Sequence, residues 1–136
     1  MNIAIVGTGY VGLVSGTCFA DTGAIVICVD VDEKKIERLQ QGSITIFEPG
    51  LDEMVAKNVK AGRLKFINNL ADVVNEQQII FSAVGTPPDD DGSADLKYVL
   101  QVAKTIGENI NKYLVVVTKS TVPVGTAKKV RDTIQA

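Results

Sequence analysis

Three glycines, Gly7, Gly9 and Gly12, follow directly on the short apolar run Asn2–Val6 and open a stretch of helical character over residues 10–22. A strand that ends in glycine and turns at once into a helix leaves few architectures open. In that setting Gly7 permits the tight turn. Gly9 keeps a Cβ out of the mouth of the helix, and Gly12 lets the helix pack closely on the strand. The alternation then continues along the whole chain. Residues 24–30 form a second strand rich in β-branched side chains. Asp32 is placed to cap a polar-faced helix, Glu33–Gln40, which Gly42 ends. Residues 43–47 are ambiguous, and Pro49 suits the first turn of a helix reaching about Lys60. Leu64–Ile67 reads as a third strand, and Asn69 as the cap of a short helix through about Asn75. Residues 78–84 form a fourth strand, and 85–93 a loop. Residues 94–109 form a helix, with Leu96, Val99, Leu100, Ala103 and Ile106 at helical spacing. Residues 113–118 give the fifth strand, 121–125 a turn, and Thr126–Gln135 the last helix.

These strands are near-continuous apolar runs, not alternating ones, which is the mark of a parallel sheet covered on both faces. The predicted fold class is α/β: a Rossmann-type, doubly wound parallel sheet in three layers, α/β/α. A complete fold of this type has six strands. The sequence supplies five and ends in a helix, so it is expected to be a truncated copy. At 136 residues it fits one domain with a core of its own. A net charge of −2 gives no electrostatic reason to expect nucleic acid or an anionic membrane as partner. The apolar first twenty residues lack a basic lead and are broken by glycines, so neither a signal peptide nor a membrane span is expected, and a cytoplasmic setting is. Cys18 and Cys28 lie in apolar segments without a C-x-x-C motif, which predicts buried free thiols and no metal site. The acidic run at 89–91 reads as a solvated loop tip. With no histidine, the commonest general base is missing from the chain.

G-x-G-x-x-G is a weak pattern alone, but here strand, turn and helix surround it, and Asp30 ends the second strand near the spacing of a ribose-binding acid. Together they predict a dinucleotide site. Pyrophosphate is expected at the helix N-terminus and ribose hydroxyls at the Asp30 carboxylate, which would repel a 2′-phosphate and so favour NAD over NADP. Flavoproteins share the glycine pattern. Two further loops follow strand ends: Gly85-Thr86-Pro87-Pro88, and the stretch from Ser120 through Thr121 to Gly125. Thr86, Ser120 and Thr121 would carry hydroxyls toward the same crevice. The alternative is local capping, with Thr121 or Thr126 capping the last helix.

Taken together, IAIVGTGYVGLVSG (3–16), CVDVDEKKI (28–36), FEPGL (47–51), VGTPP (84–88) and KSTVPVGT (119–126) resemble the UDP-glucose/GDP-mannose dehydrogenase family, in the family's order and across the whole chain. The resemblance implies that residues 1–136 are the N-terminal NAD-binding domain of a larger enzyme with a central helix and a UDP-binding domain. It implies that backbone N–H groups near Tyr10 and Val11 hold the pyrophosphate, that Asp30 binds the adenine ribose, and that Lys35 assists. Thr86 would lie near the nicotinamide end. Thr121 would serve the cofactor site and place a water or sugar oxygen beside the reacting carbon. The stretch 48–51 would sit near the crevice. Phe47 stands where tyrosine is common, so any role for that hydroxyl is lost. The implied reaction is oxidation of a sugar C6 alcohol to a carboxylate in two NAD-dependent steps, through a thiohemiacetal and a thioester on a cysteine. Neither Cys18 nor Cys28 lies in a matching motif, so this polypeptide alone is expected not to turn over. UDP-glucose is the expected substrate, with GDP-mannose or a UDP-N-acetylhexosamine as alternatives. A homodimeric parent is implied, formed through other segments. The competing reading is a stand-alone NAD-binding module without catalysis.

Overall fold

Five apolar segments become strands: β1 (Asn2–Val6), β2 (Ile25–Val29), β3 (Leu64–Ile67), β4 (Ile79–Ser82) and β5 (Val115–Thr118). The computed structural model describes residues 1–42, 49–84, 97–118 and 126–135. The strands lie in the order β3-β2-β1-β4-β5 and all run parallel. The chain moves outward from β1 through β2 to β3, then returns to the other side of β1 for β4 and β5. A reversal of this kind opens a crevice beyond the carboxyl ends of the two central strands.

Five helices cover the sheet: α1 (Tyr10–Asp21), α2 (Glu33–Gln40), α3 (Leu51–Lys60), α4 (Lys97–Asn109) and α5 (Thr126–Gln135). Successive strand residues point to opposite faces, so β1 serves two cores. Ile3 and Ile5 join Leu13, Val26, Cys28, Leu39, Val55 and Phe66 beneath α1, α2 and α3. Ala4 and Val6 join Ile80, Val102 and Ile106 beneath α4 on the other face. Helix α5 closes on α4 through Val130, Val99 and Ala103. This is the three-layer, doubly wound arrangement expected from the apolar runs.

Several local expectations shift. Residues 70–76 form two short 3₁₀ turns, Leu70–Asp72 and Val74–Glu76, not one α-helix. The Asn69 side chain accepts a hydrogen bond from the Ala71 N–H at 3.1 Å, as a cap should. The turns close on three-residue bonds, the Val73 N–H to the Leu70 carbonyl at 3.0 Å and the Glu76 N–H to the Val73 carbonyl at 3.1 Å, with Leu70, Val73 and Val74 buried. Helix α3 starts at Leu51, after Gly50, whose φ of 82° ends the preceding turn, so Pro49 stands outside the helix. Tyr113 was expected in the fifth strand but precedes β5 and is exposed. Cys18 is exposed, against expectation. Helix α1 turns Leu13, Thr17 and Ala20 inward, which leaves Cys18 facing outward. Cys28 is buried as expected, and burial pushes its thiol up to about 12. The loop at 85–93, its acidic run and the ambiguous segment 43–47 lie outside the described residues. Among the described residues no helix is long and apolar enough to cross a membrane.

At the amino ends of the strands, away from the crevice, a polar clamp ties three elements together. Asn58 is fully buried. Its Nδ2 donates to Asp21 Oδ1 at 3.3 Å, and its Oδ1 accepts from Arg63 Nε and Nη2 at 3.2 and 3.0 Å. Arg63 Nε also donates to the Ala20 carbonyl at 3.0 Å. Asn58→Ala would take the acceptor from the part-buried Arg63 Nη2 and a donor from Asp21, and would empty a fully buried site, so a stability loss of about 1–3 kcal/mol is expected. A lowered urea midpoint would register it, and the crevice end should not change.

Candidate functional site

The site grows from the β1–α1 turn. Gly7 follows β1 with φ 103°, a conformation that side-chain-bearing residues rarely adopt. Its N–H donates to the Val29 carbonyl at 2.7 Å, which stitches the turn to the end of β2. A methyl at Gly7 would stand 2.7 Å from the Ala83 carbonyl oxygen, so the turn is also pressed against the end of β4. A methyl at Gly12 would overlap the Gly7 carbonyl oxygen itself. Around Gly9, its chain neighbours and own helix aside, no heavy atom of the described residues lies within 4 Å of where a Cβ would lie. The three glycines therefore do three different things: one bends, one packs, and one leaves space.

Gly9 is also the N-cap of α1; among the described residues no side chain caps that helix end, and its first turn holds no acid. An uncapped helix of twelve residues presents its first N–H groups and the positive end of its dipole to whatever lies in front of it. Tyr10 and Val11 supply the backbone there, and the Val11 side chain is exposed. Chemically this is a seat for an anion.

Asp30 stands beside that seat. The register Val6↔Val29 carries β1 and β2 to their ends together, so the residues just beyond them are neighbours. Asp30 Oδ2 accepts from the Thr8 N–H at 3.0 Å and from the Thr8 hydroxyl at 2.7 Å. Its Oδ1 accepts from the Asp32 N–H at 3.0 Å. Lys35 Nζ lies 3.8 Å from Oδ2. Asp32 in turn caps α2, accepting from the Lys35 N–H at 3.2 Å, which fixes where Lys35 starts. Val31, between the two acids, is 85% exposed at the rim.

Burial acts to raise the Asp30 pKa. The hydrogen bonds from Asp32 and Thr8, with the Lys35 charge, outweigh it and hold the carboxyl below its ordinary value of 3.8. A depressed carboxylate contributes stability that is complete above the unfolded value and is lost as pH falls through the lower folded one. An NMR titration of the Asp30 carboxyl carbon should therefore give a midpoint under 3.8. Thr8→Val should move that midpoint upward.

Gly7, Gly9, Gly12, the Tyr10 and Val11 backbone, Asp30 and Lys35 are thus gathered at one end of the sheet. Thr86, Ser120, Thr121, Phe47 and Glu48 lie outside the described residues. Sequence reading passed over Thr8, which is only 1% exposed and directed at Asp30. The signal was available: a hydroxyl residue between the first two glycines sits two steps past a strand whose neighbour is followed at once by the acid.

Residues 1–136 match the family described as the UDP-glucose/GDP-mannose dehydrogenase family, NAD binding domain. The chain is 56% identical over 134 residues to the UDP-glucose 6-dehydrogenase TuaD of Bacillus subtilis, covering 98% of this chain and 29% of that protein. It is 54% identical to a UDP-glucose 6-dehydrogenase of Rhizobium meliloti, covering 99% of this chain and 31% of that one. Among solved structures, GDP-mannose dehydrogenase from Pseudomonas aeruginosa, in a ternary complex, superposes with a TM-score of 0.94 at 37% identity, over 99% of this chain and 32% of that one. A UDP-glucose dehydrogenase from Pyrobaculum islandicum gives 0.90 at 40% identity, over 98% and 33%. The chain therefore spans about a third of the length of the proteins it matches.

Proposed function

From the premise that this chain belongs to the UDP-glucose/GDP-mannose dehydrogenase family, as its NAD-binding domain, we propose that it holds NAD for a cytoplasmic enzyme that oxidises UDP-glucose to UDP-glucuronate. The observation that carries this reading is a junction of three features at one end of the sheet. They are open space over Gly9, an uncapped α1 N-terminus and an ionised Asp30. A dinucleotide needs such a set: a seat for its pyrophosphate and an acceptor for its ribose hydroxyls.

In this reading the N–H groups of Tyr10 and Val11 receive the pyrophosphate. Asp30 accepts from the adenine ribose, and Lys35 steadies that carboxylate. Thr86 lies near the nicotinamide end. Thr121 serves both the cofactor and the reacting carbon as an accessory catalytic group, and the 48–51 stretch borders the crevice. NAD supplies a hydride acceptor, and carrying an alcohol to an acid takes two such oxidations. Residues 1–136 act as one cofactor domain. The nucleotide-sugar pocket, the nucleophilic cysteine and the contacts of a homodimer belong to the rest of the parent protein. UDP-glucose is favoured over GDP-mannose or a UDP-N-acetylhexosamine because relatives of the two highest identities quoted above bear the UDP-glucose name. The free thiols, one exposed and one buried, suit a reducing compartment.

Calorimetric titration of the full-length protein with NAD, and separately with NADP, tests the reading. NAD is expected to bind and NADP to bind at least about tenfold more weakly, because a 2′-phosphate would meet the Asp30 carboxylate. Asp30→Ala should weaken NAD by about 1.5–3 kcal/mol, the range for hydrogen bonds to a charged group. Equal affinity for both dinucleotides in the wild type would remove Asp30 from the ribose site.

A further inference from the structure

We propose that Thr8 is a positioning residue for cofactor recognition, which sets the Asp30 carboxylate so that one chosen oxygen faces the ribose. The inference rests on the reading of Asp30 as the ribose acceptor and adds a residue to it. A carboxylate offers about four lone-pair directions, two on each oxygen. In this structure Oδ2 already takes two donors from Thr8, the N–H at 3.0 Å and the hydroxyl at 2.7 Å. Oδ1 takes one, from the Asp32 N–H at 3.0 Å. Lys35 stands on the Oδ2 side at 3.8 Å. Among the described residues the open acceptor direction is therefore on Oδ1. A ribose hydroxyl meets a carboxylate whose rotation is fixed from both sides, so little ordering remains to be done when the ligand arrives.

Thr8 is suited to this by place as well as by chemistry. It stands between Gly7 and Gly9, in the turn that frames the anion seat, and it is 1% exposed. A hydroxyl buried that deeply needs a partner, and this one uses the acid of the neighbouring strand. The phosphate turn and the ribose acid are thereby joined directly, and the two halves of the dinucleotide site keep a fixed spacing. Aspartate at position 30 supplies the charge that rejects a 2′-phosphate. Thr8 supplies direction. The two functions separate on mutation, because Thr8→Val keeps the charge and the backbone N–H bond while deleting the hydroxyl.

The test is a set of titrations of the full-length protein with NAD and NADP, alongside thermal melts. Thr8→Val is expected to raise the NAD Kd about tenfold, with NADP still rejected, while Thr8→Ser restores wild-type affinity. Asp30→Ala is expected to lose NAD affinity and to narrow the gap to NADP. In the Asp30→Ala background, Thr8→Val should have no further effect, since the group it directs is gone. If Thr8→Val leaves NAD affinity unchanged while Asp30→Ala lowers it, the positioning role is wrong and the ribose reading stands. If Thr8→Val weakens NAD equally with and without Asp30, Thr8 acts on the cofactor or the turn instead, and the inference falls. If Asp30→Ala changes neither affinity, the ribose reading itself fails. Should Thr8→Val melt too low to titrate, Thr8→Cys, which keeps a weak donor at the same place, takes its position with an intermediate loss expected.

Discussion

Gly12→Ala is expected to lower the stability of the protein by about 3 kcal/mol or more, the upper range for forcing atoms into a packed interior. The added methyl would overlap the Gly7 carbonyl oxygen, and the next nearest atom is the Gly7 carbonyl carbon. Both are backbone, so no rotamer change relieves the clash. Nor has Gly7 room to retreat. Its N–H is bonded to Val29 at 2.7 Å, and its Cα faces Ala83 at the end of β4. To make space, α1 would have to lift from β1 and open the core that holds Leu13 and Ile5. A urea melt measures the effect directly. A midpoint equal to wild type would mean that α1 and β1 are not in close backbone contact at Gly12.

Gly9→Val is expected to do the reverse, leaving stability within about 1 kcal/mol of wild type while weakening NAD binding by about 100-fold or more. Gly9 has φ −72° and ψ −167°, extended backbone open to any residue. Beyond its chain neighbours and own helix, no heavy atom of the described residues lies within 4 Å of the Cβ position. The described residues therefore raise no objection to the side chain. The obstacle is the ligand, because the valine methyls would fill the space in front of the α1 N–H groups. Calorimetry beside a thermal melt separates the two outcomes. Near wild-type affinity in a folded Gly9→Val protein would show that no pyrophosphate lies over Gly9. Two glycines three positions apart thus give opposite phenotypes, one in the melt and the other in the titration.

Much of this was legible in the residues. The apolar runs at 2–6 and 64–67 gave β1 and β3 with their observed ends, and Gly7, Gly9 and Gly12 announced the turn, the seat and the packing. Legibility failed where a choice depended on three dimensions. Whether Cys18 faces in or out depends on the rotation of α1, and that helix is apolar nearly all round, so its sequence carries little phase information. The buried positions Leu70, Val73 and Val74 at 70–76 suit an α-helix and a pair of 3₁₀ turns alike, so the local pattern does not choose between them. Thr8 was overlooked for a similar reason. Its meaning lies in the pairing of β1 with β2, whereas the glycine pattern draws the eye along the chain, not across it.

The core beneath α1, α2 and α3 takes all of its buried members from residues 3–66. During synthesis the chain emerges from its N-terminus, and domains assemble in that direction. The buried members of that face can therefore gather before β4 leaves the ribosome, with Ile79, Phe81 and Ala83 packing against them once it does. Until then β1 has an open edge on the side that β4 will occupy, and Ala4 and Val6 lack most of the cover on their own face. Gly7 rests against Ala83, just past β4. The nascent chain thus carries every glycine and the acid of its cofactor site early, yet cannot set the turn that joins them until the fourth strand arrives. Nucleotide recognition is a late acquisition in the life of this polypeptide, although its signature is written between Gly7 and Asp30.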